Sequence, residues 1–306
     1  MASSPPRAGW LQRLARRKRE PVAFALSGGG PLGALQVGQL RALFENGIVP
    51  SLVVGTSVGA LNASFLAYDP TFDGVERLER IWLGLTEGDL FPGGRFRATW
   101  ARMLVRGNKV FENSGIRKLV ETRLGNARIE EARIRLGIVA TDLETGAERV
   151  FTSGDVLKPL LASTAMPGVF PPVEIDNRLY IDGGVANNVP IAPAVRLGAR
   201  TVYVMDSTSA HHQRRPLQRP MDYLLHSFTL SRAQRMDVER ELYEKRVRLV
   251  LLPAGHLDFF VPFASMDSTA RLVEHGYSET TRFLSGEMPA RTEAAGGGLE
   301  AIAPAE

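Results

Sequence analysis

Short apolar runs without alternation mark the two clearest elements of the chain. "PVAFALS" (21–27) and "SLVVG" (51–55) are apolar on both parities, the pattern of parallel strands buried on both faces. Each leads through a glycine-bearing turn into a segment of helical period. Over 33–46, Leu35, Leu40, Leu43 and Phe44 share one side and Gly47 provides the stop, and 57–68 repeats the plan. Strand, turn and helix, twice in succession, predict an α/β fold with a parallel sheet covered by helices on both faces.

Further along, the period changes. Residues 69–130 read as mostly helical, with breaks at Pro92-Gly93-Gly94 and Gly107-Asn108, and carry Trp82, Phe91, Phe96 and Trp100. They predict a helical layer inserted over the sheet. "IRLGIVATDLETGAERVF" (134–151) predicts two strands joined by a turn at 144–146, and 155–163 a short helix. Pro167, Pro171 and Pro172 then force an extended loop. "RLYIDGG" (178–184) is a strand ending in a turn. "TVYVMD" (201–206) and "RVRLVLLP" (246–253) predict further buried strands separated by a helix near 220–244, and a last helix spans 269–285. One domain over 21–285 results, with a basic tail over 1–20 and a disordered tail, rich in Ala, Gly and Glu, over 286–306.

Charge changes this picture only at the front of the chain. Lys and Arg exceed Asp and Glu by 37 to 33, a weak excess, and no nucleic-acid partner is expected. Arg7, Arg13, Arg16, Arg17, Lys18 and Arg19 precede the first strand, opposed only by Glu20. Such a run is a solvated tail or a contact for anionic lipid, and Trp10, Leu11 and Leu14 on one helical face suit the second use. The absence of cysteine excludes disulfides and thiolate chemistry. No signal peptide is seen, and no apolar run is long enough for a transmembrane helix. The expectation is a soluble cytoplasmic protein, or one peripheral to a membrane.

Candidate chemistry gathers at the turns. Gly28, Gly30 and Gly33 in "GGGPLG" satisfy the dinucleotide-binding spacing, but no carboxylate closes the second strand to hold a ribose. "GTSVG" (55–59) stands there instead. Gly55 and Gly59 flank Ser57 on a strand-to-helix turn, the setting of a strained nucleophile, and the helix behind it favours developing negative charge. Both turns lie at the carboxyl edge of the sheet, so the amides of Gly28, Gly29 and Gly30 can serve as an oxyanion hole. Two partners for Ser57 compete. One is a triad with Asp206 and His256, each following a strand, in the chain order of α/β-hydrolases. The other is a dyad with Asp182, whose following Gly183 and Gly184 leave its approach open; the plainer reading of "DGG" is a tight turn in which Asp182 caps its own backbone.

"GGGPLG", "GTSVG" and "DGG", in this order and on these elements, resemble the patatin-like phospholipase family, and the run "ASTAMPGVFPPVEIDNRLYIDGGVANNVP" (162–190) is similar to that family's approach to its aspartate. The likeness covers about residues 22–206. It implies a three-layer α/β/α sandwich with a mainly parallel central sheet and a lipid acyl hydrolase needing no metal or other cofactor. It assigns Ser57 as nucleophile, Asp182 as base and Gly28, Gly29 and Gly30 as oxyanion-hole amides. The substrate it implies is a lipid ester reached by transient contact with a membrane or micelle, and the aromatics of the cover segment would line an acyl channel or, more plainly, form core. One departure is Leu32, where the family usually carries Arg or Lys. A lipid-binding or scaffold protein that keeps these turns without turnover is the other functional class.

Overall fold

The structure, a computed structural model, describes residues 20–91, 111–210, 220–259, 261 and 265–287. The basic tail before Glu20, Phe96, Trp100 and the chain beyond Glu287 lie outside the described residues. β1 (Val22–Leu26) leads through the glycine turn into α1 (Gly33–Glu45), and β2 (Leu52–Thr56) leads through Ser57 into α2 (Val58–Tyr68), as the apolar runs predict. The cover segment supplies α3 (Phe72–Gly84), α4 (Glu87–Leu90) and α5 (Ser114–Leu124). After it come β3 (Arg135–Asp142), β4 (Glu148–Phe151), α6 (Leu157–Ser163), β5 (Val173–Ile175), β6 (Arg178–Asp182) and α7 (Ile191–Arg196). β7 (Thr201–Met205), α8 (Pro220–Tyr243), β8 (Arg248–Leu251) and α9 (Thr269–Leu284) complete the described chain.

The strands form one eight-stranded sheet. β3, β2, β1, β7 and β8 lie side by side in that order, all parallel. β4 and β6 run antiparallel to β3, and β5 antiparallel to β6, so the sheet is mixed at one end. β1 separates two cores. Phe24 and Leu26 join Leu40 of α1, Leu66 of α2, Leu78 of α3 and Leu272 of α9 on one face. Ala23 and Ala25 face Ile191 of α7, with Met236 and Tyr243 of α8 packed around them, on the other. Helices on both faces of a central sheet make the three layers of an α/β/α sandwich.

Two expectations are corrected, and one open alternative is decided for Phe91 and Trp82. The extended loop after Pro167 contains the edge strand β5, and α7 was not foreseen, because both are too short to show a period. The strand expected to be buried at 246–253 is an edge strand: Arg248 is exposed and the rest of β8 half-buried, since β7 covers one flank only. Phe91 of the cover segment is core, stacked on Phe170 at 5.5 Å and edge-on to Phe111 at 5.4 Å between ring centres. Trp82 is core as well.

The pairing of β3 positions the site. Ile138 and Val139 pair with both β2 and β4, whereas Ala140 and Thr141 pair with both β4 and β6. A strand has two hydrogen-bonding flanks, so β2 and β6 share the flank opposite β4. They meet end to end there, Thr56 beside Val139 and Asp182 beside Ala140. The carboxyl ends of β2 and β6 thus face each other across one residue step of β3.

The start of α2 lies almost on the end of β1. A Cβ on Gly59 would stand 2.4 Å from the carbonyl oxygens of both Leu26 and Ser27. Gly84, at the exposed end of α3, would meet nothing within 4 Å. The same substitution should therefore act with opposite signs. Gly84→Ala is expected to raise stability by about 0.5–1 kcal/mol through helix propensity, whereas Gly59→Ala should lose about 1–3 kcal/mol or more because backbone cannot yield. Thermal unfolding of the two variants beside the parent measures both.

Candidate active site

Ser57 leaves β2 at φ 55° and ψ −125°, a region L-residues avoid. The strain, about 1–3 kcal/mol, is held by close backbone contacts: a Cβ on Gly55 would fall 2.2 Å from the oxygen of Gly59. Ser57 N–H donates to Ser163 Oγ at 2.8 Å, and the Ser163 hydroxyl in turn donates to Val139 O at 2.6 Å. The half-buried Ser57 hydroxyl points the other way and donates to Asp182 Oδ2 at 2.7 Å.

Asp182 ends β6 and is 4% exposed. Its Oδ1 accepts the Gly184 N–H at 2.7 Å, so the turn-capping role and the contact with Ser57 coexist on separate oxygens. Thr141 Oγ donates to the Asp182 carbonyl at 2.8 Å and fixes the backbone. Burial pushes the carboxyl above the usual carboxylate range, opposed by the charge of Arg232, the Ser57 hydroxyl and the Gly184 N–H, in that order. Burial wins, which makes Asp182 a better proton acceptor than an exposed aspartate. Gly183 has no room for a side chain, since its Cβ would meet Val139 O at 2.3 Å.

The glycine turn lies against this pair. A Cβ on Gly28 would stand 3.0 Å from Ser57 Cβ. Of the three amides expected to form an oxyanion hole, that of Gly28 is committed, donating to Asn188 O at 3.2 Å. The Gly29 and Gly30 amides have no partner among the described residues, and Pro31 has none to give. Gly30 adopts φ 57°, a conformation suited to glycine. Gly33 packs on Val58 and Trp82. Leu32 is buried in the larger core and brings no charge to the turn.

Beneath the turn lies a buried polar chain that the sequence does not advertise. Trp82 Nε1 donates to Asn62 Oδ1 at 2.8 Å, Asn62 Nδ2 to Gln36 Oε1 at 2.9 Å and to Gly33 O at 3.0 Å, and Gln36 Nε2 to Ser27 O at 2.8 Å. The loop after Asp182 ties the three turns together, because Thr56 Oγ donates to Asn187 O at 2.9 Å while Asn188 O takes the Gly28 amide. Ser163, Asn187 and Asn188 lie within the run 162–190, but nothing in their spacing distinguishes them.

The structure does not bring Asp206 and His256 to Ser57. Asp206 follows β7 and accepts from Thr208, and exposed His256 follows β8. Those strands lie two and three places from β2, about 10 and 14 Å away at the spacing of neighbouring strands. No group of three or more His, Cys, Asp or Glu among the described residues is placed to hold a metal ion. Nor is any helix among them long and apolar enough to cross a membrane.

The strain at Ser57 can be isolated with two variants that both lack the hydroxyl. Ser57→Gly should unfold at a higher temperature than Ser57→Ala. Release of the positive φ exceeds the entropy that glycine loses on folding, about 0.5–1 kcal/mol. Paired thermal melts give the order, and the reverse order would refute stored strain.

The sequence model of the patatin-like phospholipase family matches residues 24–195, more than half of the chain. A patatin-like phospholipase domain-containing protein of Caenorhabditis elegans is 34% identical over 219 residues, covering 66% of this chain and 15% of its own. The lysophospholipase NTE1 of Eremothecium gossypii is 28% identical over 220 residues, covering 69% of this chain and 13% of its own. The chain thus spans about 15% of the length of the first of these curated relatives. Among solved structures, VipD from Legionella pneumophila superposes with a TM-score of 0.48 at 16% identity, over 87% of this chain and 67% of that one. By the extent of the family match, with its glycine, serine and aspartate turns in place, the chain is a member of the patatin-like phospholipase family.

Proposed function

We propose that the chain is a lipid acyl hydrolase that cleaves carboxylic esters of phospholipids, lysophospholipids or related acyl lipids. Ser57 is the nucleophile and Asp182 the base. The observation that carries the reading is the 2.7 Å hydrogen bond from the Ser57 hydroxyl to a buried carboxylate, on a strained turn at a helix N-terminus.

In the first half-reaction Ser57 Oγ attacks the ester carbonyl carbon while its proton passes to Asp182 Oδ2. The carbonyl oxygen becomes an oxyanion facing the Gly29 and Gly30 amides, with the positive end of α2 adding to their field. Collapse breaks the ester C–O bond, and the departing alcohol or lysolipid takes the proton from Asp182. Water then gives a proton to Asp182 and adds to the acyl-serine. The fatty acid leaves as the proton returns to Ser57. Gly28 contributes by letting the turn approach Ser57, not by donating its amide.

Ser57→Ala should abolish release of fatty acid from lysophosphatidylcholine and labelling by a fluorophosphonate. Asp182→Asn should lower kcat by about two orders of magnitude or more, with labelling slowed in parallel. His256→Ala should stay at the parent's rate. In the parent, kcat/KM should fall with acid through a midpoint above the usual carboxylate range, because protonated Asp182 accepts no proton. Turnover that survives in Ser57→Ala, or is lost in His256→Ala with the fold intact, would overturn the assignment. A folded chain that binds lipid but never turns over would favour the scaffold class.

The lipid is reached by transient contact with a bilayer or micelle, for which the basic run Arg7 to Arg19 with Trp10 is the candidate. Removal of residues 1–19 should weaken sedimentation with anionic vesicles at low salt and leave hydrolysis of a soluble p-nitrophenyl ester unchanged. Equal binding by both chains would show the run to be only a solvated extension.

A further inference from the structure

α8 reaches the turn at Gly184 through Arg232. Arg232, half-buried, donates its Nε–H to the Gly184 carbonyl at 2.9 Å. The point where a Cβ on Gly184 would stand lies 2.9 Å from Arg232 Nη2, 3.0 Å from Asp182 Oδ1 and 2.8 Å from Asn188 Oδ1. Guanidinium and carboxylate thus border the same small space, within about 6 Å of each other, the range over which an opposite charge favours ionisation. Arg232 also lies outside the stretch matched by the family model, which ends at residue 195.

We propose that Arg232 is a positioning residue that holds Asp182 in its ionised, proton-accepting state and so sets the acid limit of the reaction. The inference rests on the Ser57–Asp182 reading above. A carboxyl buried as deeply as Asp182 drifts toward its neutral form, which cannot take the serine proton. Of the groups that favour the anion, Arg232 brings a full charge, while the Ser57 hydroxyl and the Gly184 N–H bring dipoles. The offset also matters. A guanidinium forked directly onto Asp182 would occupy Oδ2 and make the carboxylate too weak a base. Anchored on the Gly184 carbonyl, the charge acts through space and leaves Oδ2 to Ser57.

Other charges nearby are paired among themselves. Arg235 pairs with Glu239 at 3.0 Å and reaches Glu148 at 3.9 Å, and Arg196 also contacts Glu148. Asn187 Nδ2 joins both acids, at 2.8 Å to Glu239 and 2.6 Å to Glu148. Asp142 of β3 pairs with Arg178 at 3.0 Å, Asp206 is held by Thr208, and His226 of α8 is exposed.

The experiment follows kcat/KM for a soluble p-nitrophenyl ester from acid to alkaline pH in the full chain, with Arg232→Gln, Arg232→Met and Arg232→Lys compared after thermal melting confirms the fold. Both neutral variants should move the acid midpoint upward by about one to three pH units, so activity falls most at low pH and approaches the parent at high pH. Arg232→Lys should return the midpoint toward the parent. An unmoved midpoint, with activity reduced by one factor at every pH, would overturn the proposal, since a merely structural residue behaves in that way. Failure of both neutral variants to fold would assign Arg232 to the scaffold and overturn it equally. Retained turnover in Ser57→Ala would instead remove the dyad itself, and so separates the two claims.

Discussion

Two strands of opposite direction cannot both run the length of one flank of a third, and β3 resolves this by giving half of its flank to each. β2 occupies it up to Val139 and β6 begins at Ala140. Ser57 and Asp182 are the residues at that junction. Their spacing therefore follows from register, a property fixed by main-chain hydrogen bonds and by burial of alternate side chains. A one-residue slip of β6 would move Asp182 off the junction and turn its side chain to the other face.

Around the junction, contacts that would each be unfavourable alone hold one another in place. Ser57 keeps a positive φ because Gly55 and Gly59 let backbone close against backbone. Asp182 keeps its carboxyl in a buried place, partnered by a hydroxyl and an amide and with the Arg232 charge opposing the effect of burial. The amides of Gly29 and Gly30 stay unpaired among the described residues, while that of Gly28 is used to fasten the turn to Asn188. The division of labour within the glycine turn is one amide for attachment and two left over.

Much of this was legible in the sequence wherever the signal is local. The apolar runs that become β1 and β2, the glycines around Ser57 and the strand leading to Asp182 are short-range patterns, and each forms the element it predicts. Elements lacking a local signal were missed: β5 and α7 are too short to show a period, and α7 carries Pro193 in mid-course. β8 reads as buried because its composition is apolar, yet burial depends on a neighbouring strand that composition does not encode. Arg232 reads as one more arginine on a long mixed helix, and its contact with Gly184 depends on how α8 crosses the sheet. The loss of the Gly28 amide has the same origin, since its acceptor lies 160 residues away in sequence.

That distance has a kinetic meaning. Ser57 and Asp182 are separated by 125 residues, and they meet only when β3 carries both β2 and β6 on one flank. Long-range pairing of this kind comes late, after the entropy of closing the intervening chain has been overcome. The strained serine, by contrast, belongs to a β-turn-α unit closed within a few residues. A growing or stalled chain would hold the strained serine long before the carboxylate it bonds to, so the Ser57–Asp182 hydrogen bond is acquired only once β2 and β6 are both docked on β3.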